Sequence, residues 1–315
     1  MGASSSQEIP GANVDLIPMS LALEYVGALR KLLTRVVKED SRLKLRTGGR
    51  SGKVDEDAVP LLVEEYAQYF QSMKTLSLFQ RRKLNRKLSL ELRFIRYVHR
   101  LNPIKYREDF RSTTAIDQRL LGAMVIRQFA TARDFLRFGA RQEEKIALIK
   151  KYFHFLVLAK AVHYSRHGGD ERYRADVWRR LGSRAPDFVV PTKGIDLVWH
   201  AHMNYPNAYY NLCRDLKFSL DHSDELSPGA LSSNHEKTRY SWNSYFGQDG
   251  LQYDGIESPR SRAALNSHAE MNCGGAKCGN GGCGTCGTAM GGRGGGGGCG
   301  GGAGYGGGCG GCGGG

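Results

Sequence analysis

The sequence predicts an all-α or nearly all-α fold, with a multi-helix body between a disordered N-terminal leader and a disordered tail. Apolar residues recur every three or four positions through most of residues 16–255, the period of helices with one buried face. Strand signals are scarce, and the short run 188–190 before Pro191 is interpreted as a linker or an edge piece. Residues 271–315 hold 26 of the 42 glycines and seven of the eight cysteines, a composition that cannot bury a core.

The first part of the body is predicted to be a basic helical segment, residues 16–110, which follows a leader of residues 1–15. Leucines and valines at helical spacing predict a helix over residues 20–39. Three glycines and five basic residues predict a loop over residues 42–57. Pro60 suits the first turn of the next helix.

The most basic stretch is residues 81–107, which contain ten Lys or Arg and one acid, Glu91. Leucine and isoleucine recur there every three or four residues, so the charges are expected on a helix whose other face packs inward. Such a face can contact phosphates or an anionic membrane. A solvated helix face is the alternative. The candidate contacts for an anionic partner are Arg81, Arg82, Lys83, Arg86 and Lys87.

Charge and cysteine content narrow the class of protein. The formal net charge is +14, and the tail contributes only Lys277 and Arg293 without any acid, so residues 1–270 carry +12. A basic body favours an anionic protein, RNA or an anionic membrane surface as partner. Apolar runs are too short to cross a membrane, and no signal peptide opens the chain. Cys213 alone lies in the body, which fits a reducing setting, cytosolic or nuclear, and a cytoplasmic location is expected.

The second part of the body, residues 111–255, is predicted to be a helical domain, with a tail of residues 256–315 after it. Two long helices are expected over residues 113–139 and 143–167, and the dividing line between the two parts is placed near residues 102–113. A further helix should begin after Thr192, a natural N-cap. This helix carries the sequence Ile-Asp-Leu-Val-Trp-His-Ala-His, residues 195–202.

This passage, with Pro206, Tyr209, Tyr210 and the Asp-His-Ser-Asp element at residues 221–224, resembles the glycine-rich domain-containing proteins, which are known mainly from plants and have fungal and protist relatives. The similarity covers about residues 145–253, and a Gly/Cys-rich C terminus is also typical of that family. The resemblance implies a part in growth and in hormone and stress responses, without an established enzymatic activity.

The same passage offers a candidate metal site. Asp196, His200, His222 and Asp224 combine imidazole and carboxylate groups, which suit zinc or iron. Asp196 and His200 share a helix face because they are four residues apart, whereas His200 and His202 point about 200° apart and cannot both bind one ion. The alternative is a polar network that locks two helices together: Asp196, Trp199, His200, His202, Tyr209, His222 and Asp224.

Two further motifs lie near the ends of the chain. Cys283 with Cys286 and Cys309 with Cys312 form two C-x-x-C pairs separated by 22 residues, which could bind a metal or form disulfides, although a flexible low-complexity tail with weak self-association is the preferred interpretation. Gly2 starts the pattern Met-Gly-x-x-x-Ser, which predicts N-myristoylation, with an ordinary disordered start as the alternative. Lipidation would place a cytoplasmic protein partly at membranes.

The preferred hypothesis from sequence is therefore a non-enzymatic interaction or signalling adaptor of the glycine-rich domain type that binds an anionic partner and needs no cofactor. A metal-dependent enzyme centred on His200 and His222, using zinc or iron, is one alternative. An RNA-binding protein is the other, because the charge permits it.

Overall fold

Eleven α-helices, a short 3₁₀ helix (Gly182–Arg184) and no strand make up the regular structure of the described residues, which confirms the predicted fold class. The structure is a computed structural model, and it describes residues 17–39, 42–43, 54–167, 171–220, 222, 227–247 and 252–253. The helices are α1 (Met19–Lys38), α2 (Ala58–Thr75), α3 (Leu78–Arg86), α4 (Leu90–Arg100), α5 (Pro103–Arg111), α6 (Gln118–Phe135), α7 (Gln142–His167), α8 (Glu171–Leu181), α9 (Lys193–Met203), α10 (Pro206–Leu216) and α11 (Pro228–Phe246).

Helix α9 lies at the centre of the packing. Nine of its eleven residues are buried, and only Lys193 and Asp196 are partly exposed. A helix that is apolar nearly all round must be surrounded by others. Helices α1, α6, α7 and α10 all contact it, so both predicted parts of the body contribute to its surroundings. One hydrophobic cluster runs from Ala22 on α1 to Tyr253 after α11.

The outer helices follow their apolar stripes. Helix α1 buries Ala22, Val26, Leu29, Leu33 and Val36, which recur every three or four residues. With 26 residues, α7 is the longest of the described helices, and it contacts α1, α8 and α9. Among the described helices, none has the length and apolar character needed to cross a membrane.

The apolar spacing of residues 81–107 predicted one helix, and this prediction is wrong. The stretch belongs to three short helices, α3, α4 and α5. Ser77 begins α3 in a capping box with Gln80, and the side chain of Ser89 accepts a hydrogen bond from Leu92 N at the start of α4. Asn102 caps α5 in the same way, with Pro103 as its first residue. These polar caps satisfy backbone donors at each start, so the chain turns twice where the spacing of leucines predicted continuity.

Candidate metal site on the central helix

The site begins with the N-terminal cap of α9. Thr192 Oγ1 accepts a hydrogen bond from the backbone N–H of Ile195, which starts the helix at Lys193. Asp196 and His200 then follow one turn apart, so their side chains lie one above the other on the same face. The face is directed at the C-terminal end of α6, where the ring of Phe135 meets the His200 ring edge-on at 5.0 Å.

His222 comes from the chain after α10, and a pair of hydrogen bonds holds that chain against α9. The indole N–H of Trp199 donates to Tyr209 Oη at 2.8 Å, and Tyr209 Oη donates in turn to the carbonyl of Leu220. Leu220 is two residues before His222. The Trp199–Tyr209 pair therefore positions the segment from which the His222 ring reaches His200.

Three ligand-type atoms converge at this place. His200 Nε2 lies 2.8 Å from His222 Nε2 and 3.2 Å from Asp196 Oδ1, and His222 Nε2 lies 3.6 Å from the same carboxylate oxygen. A tetrahedral zinc ion with bonds of about 2.0–2.1 Å needs its ligand atoms roughly 3.3 Å apart. The three distances bracket that value, so one ion fits between the three atoms with small adjustments.

Hydrogen bonding alone leaves this arrangement incomplete. A proton can join the two Nε2 atoms, but it then serves only that pair, because each neutral imidazole carries one N–H. Asp196 Oδ1 is buried. His200 Nε2 and His222 Nε2 approach it to 3.2 and 3.6 Å, but among the described residues neither contact has the geometry of a normal hydrogen bond. Buried carboxylate oxygens are normally satisfied. A cation would satisfy all three lone pairs at once.

The electrostatics favour a charged carboxylate. Burial alone would raise the pKa of Asp196, but the adjacent imidazoles of His200 and His222 outweigh burial and hold that pKa far below its usual range. Asp196 is therefore ionised throughout the physiological range, and an anionic oxygen beside two imidazole nitrogens is the donor set that zinc and iron prefer.

The three side chains differ in their access to solvent. His200 is fully buried, whereas the side chains of Asp196 and His222 are 20% and 13% exposed. The group is thus closed on the His200 side and reachable from solvent on the other. Trp199 flanks the His222 ring, with centroids 5.2 Å apart.

A phenol from a distant helix completes the surroundings of His200. Tyr97 on α4 places its Oη 2.7 Å from His200 Nδ1, the ring nitrogen that does not face the cluster. When Nδ1–H donates to this oxygen, Nε2 carries a lone pair directed at Asp196 and His222, which is the tautomer that a metal ligand requires. No motif in the sequence links Tyr97 to His200, so sequence reasoning missed it.

His202 does not join this group. Its Nδ1 lies 3.0 Å from Tyr152 Oη on α7, on another side of α9, as the helical spacing predicted. Burial lowers the pKa of His202 to about 4, against the weaker opposite effect of a hydrogen bond with the backbone of Ala208. His202 is a neutral core residue at physiological pH, and it packs edge-on against Tyr209.

The other predicted site residues fall into two groups. Arg82, Lys83, Arg86 and Lys87 are exposed, whereas Arg81 is partly buried and donates to the carbonyl of Lys74 at 3.2 Å. The remaining ones lie outside the described residues: Gly2, Asp224, Cys283, Cys286, Cys309 and Cys312. Comparisons of the chain with protein-family models, with curated proteins and with solved structures gave no match.

Proposed function

We propose that this protein binds a divalent transition metal, zinc or iron, at Asp196, His200 and His222, and acts as a metal-dependent enzyme. The observation that carries the proposal is the convergence of three ligand atoms within 3.6 Å of one another. Two histidines and one carboxylate are the protein ligands of many catalytic zinc sites and of non-haem iron sites.

The ligand group is closed to solvent on the His200 side and open on the other, which supports a catalytic rather than a structural metal site. Structural zinc is usually enclosed by four protein ligands, whereas catalytic metals keep a position for water or substrate. Here Asp196 and His222 reach solvent while His200 is fully buried. A bound ion would act as a Lewis acid and lower the pKa of coordinated water.

The roles of the chain's own residues follow from their positions. Asp196 contributes the negative charge, and Tyr97 orients the ring of the buried His200 through a hydrogen bond at Nδ1. His222 comes from the segment after α10 and completes the set from the solvent side. Phe135 and Trp199 line the group with apolar ring surface, which strengthens the attraction between the charges.

The test is the metal content of purified full-length protein and of two variants, measured by mass spectrometry of the elements. Asp196→Asn and His222→Gln remove a ligand with little change of shape. We expect one equivalent of zinc or iron in the parent protein, and affinity at least about tenfold weaker in each variant. His163→Gln is the matched control, because His163 on α7 stacks on Phe218 and belongs to no cluster of ligand atoms among the described residues.

Cobalt substitution separates this site from the tail cysteines. Cobalt bound by nitrogen and oxygen lacks the thiolate charge-transfer band that cobalt at cysteine pairs shows, so Asp196→Asn should remove only the signal without that band. Equal metal content in the parent and Asp196→Asn proteins, or a signal due to thiolates alone, would refute the proposal.

A second candidate function is the non-enzymatic adaptor of the glycine-rich domain type, with an anionic partner. Four exposed cations at α3 and its C-cap favour it: Arg82, Lys83, Arg86 and Lys87. A myristoylated Gly2, a cytoplasmic location and a role in growth or stress responses belong to the same hypothesis, and RNA binding is its variant. The two functions are compatible, because α3 and the metal site use different residues.

A further inference from the structure

Helix α3 stands apart from the other described helices in its exposure. It contains nine residues, and none of them is fully buried. Its start is fixed by the reciprocal hydrogen bonds between Ser77 and Gln80, so the helix is well defined without deep packing. Its outward face is therefore available to a partner.

Two large apolar side chains lie at the N-terminal end of this face. Leu78 is 73% exposed and Phe79 is 77% exposed, which makes them the two most exposed large apolar side chains among the described residues. Single exposed apolar residues are common on protein surfaces, but an adjacent leucine and phenylalanine at this exposure indicate a contact site.

The basic residues of α3 share that face. At 100° per residue, Leu78, Phe79, Arg82, Lys83 and Arg86 fall within an arc of about 140°. The opposite side faces the body: Leu84 packs against the hydrophobic cluster, and Arg81 donates to the carbonyl of Lys74. Asn85, at the edge of the outward face, accepts from Tyr69 Oη and from the guanidinium of Arg96. The helix thus presents its apolar pair first and its cations in the following turns.

The charges on this surface have one sign. Residues 78–87 contain five Lys or Arg and no acid. The nearest acid in the sequence after them, Glu91, is buried and accepts a hydrogen bond from the backbone N–H of Arg42. Charge complementarity therefore requires an anionic partner.

Leu78 and Phe79 indicate which class of anionic partner fits this surface. Nucleic acid would stack a base on Phe79, but it offers no apolar counterpart for Leu78. A bilayer interface offers both, because aliphatic and aromatic side chains enter the boundary of the acyl chains while Lys and Arg remain at the anionic headgroups. The order of residues along α3 matches such a surface.

We propose that α3 docks on an anionic phospholipid membrane, with Leu78 and Phe79 inserted and Arg82, Lys83, Arg86 and Lys87 at the headgroups. This inference specifies the partner of the second candidate function and is independent of the metal site. A single myristoyl chain gives marginal membrane binding, so α3 is also the second element that a lipid on Gly2 would need.

The experiment measures co-sedimentation of the full-length, unlipidated protein with vesicles of phosphatidylcholine alone or with about 30% phosphatidylserine. We expect binding to the anionic vesicles only, and a fall in binding with salt. The double variants Leu78→Ser/Phe79→Ser and Arg82→Glu/Lys83→Glu should each weaken the partition coefficient about tenfold or more.

Matched controls use residues that are exposed elsewhere. Leu61→Ser changes another leucine at 69% exposure on α2, and Arg119→Glu/Lys150→Glu reverses two exposed cations on α6 and α7. Both should bind anionic vesicles like the parent protein. A Phe79→Trp variant should also show a blue shift of its emission on those vesicles, which reports insertion rather than adsorption.

The outcomes separate this inference from the functions above. Absence of binding to anionic vesicles, or equal loss in the controls and in the α3 variants, overturns it. Binding that survives Leu78→Ser/Phe79→Ser overturns insertion. If the protein binds single-stranded RNA or an acidic protein in place of vesicles, the membrane inference fails while the adaptor hypothesis stands.

Discussion

Tyr97 Oη lies 2.7 Å from Nδ1 of His200, and this contact joins α4 to α9 on the side of the ring opposite the ligand cluster. Tyr152 makes the corresponding contact with His202 Nδ1 at 3.0 Å. Two buried histidines on one helix thus have equivalent phenol partners, but only His200 faces Asp196 and His222. Removing each phenol hydroxyl in turn therefore distinguishes an effect on metal binding from an effect on the stability of the core.

Tyr97→Phe should weaken metal affinity about 10- to 100-fold, because it removes the hydrogen-bond partner that orients the His200 ring from Nδ1. Tyr152→Phe should leave the affinity unchanged. Each variant loses one buried hydrogen bond, so each apoprotein should lose about 1 kcal/mol of unfolding free energy. Affinity is measured by competition with a chelator and stability by thermal unfolding. Equal affinities in both variants would contradict the assigned role of Tyr97.

Local signals account for the parts of the site that sequence reasoning predicted. The Thr192 cap and the four-residue spacing of Asp196 and His200 depend only on helix geometry, which short-range patterns define. The placement of His222 could be inferred because one helix separates it from α9. Tyr97 could not be found in this way, since it precedes His200 by 103 residues and the contact depends on how α4 packs.

For the fold, too, local sequence patterns predicted some features, whereas others depend on tertiary packing. Apolar periodicity predicted helices and, in α1, their inward face. It failed at residues 87–89, because Leu84, Leu88 and Leu92 keep their spacing across the break between α3 and α4. The polar cap at Ser89 was the signal for that break. The central position of α9 depends on tertiary packing, for which the nearly uniform apolar run 197–203 was the one local indication.

His99 should make the protein less stable as the pH falls below about 6.5. It is buried, its Nε2 donates to Asp109 at 3.0 Å, and Tyr66 Oη lies 3.1 Å from its Nδ1. Burial lowers the pKa of His99, and the nearby cations Arg100 and Lys105 act in the same direction, although Asp109 opposes them. The unfolded chain therefore takes up the proton first, so acid favours unfolding.

Asp109 extends this loss to lower pH. Burial would raise the pKa of Asp109, but His99 and Lys105 hold that pKa below the usual value of 3.8. The contribution of Asp109 to the free energy of unfolding is therefore present above pH 3.8, and it is lost as the pH falls through the folded-state pKa. Urea unfolding between about pH 8 and pH 5 tests the His99 part. His99→Gln should be less stable at the upper end of that range yet vary less with pH, and an unchanged slope would refute the role of His99.

Gly194 on α9 faces the side chain of Leu148 on α7. A Cβ added there would stand 2.5 Å from Leu148 Cδ2 and 3.7 Å from Phe138 Cδ1. Alanine favours a helix over glycine by about 1 kcal/mol, but crowding a packed core costs about 1–3 kcal/mol. Since Leu148 is itself buried and has little room to move, Gly194→Ala should lower the unfolding free energy by about 1 kcal/mol.

A double-mutant cycle with Leu148→Ala tests the cause of that loss. Leu148→Ala alone should cost about 2–5 kcal/mol, and adding Gly194→Ala should then cost nothing or stabilise, because the new methyl group enters the vacated space. Gly27→Ala on α1 is the control, since apart from the adjacent residues and the backbone of its own helix no atom lies within 4 Å of the place that its new Cβ would occupy, and helix propensity alone should raise stability. If the losses of unfolding free energy for Gly194→Ala and Leu148→Ala are additive in urea unfolding, the two side chains do not compete for the same space. The close contact of α9 with α7 is then not the reason for glycine at residue 194.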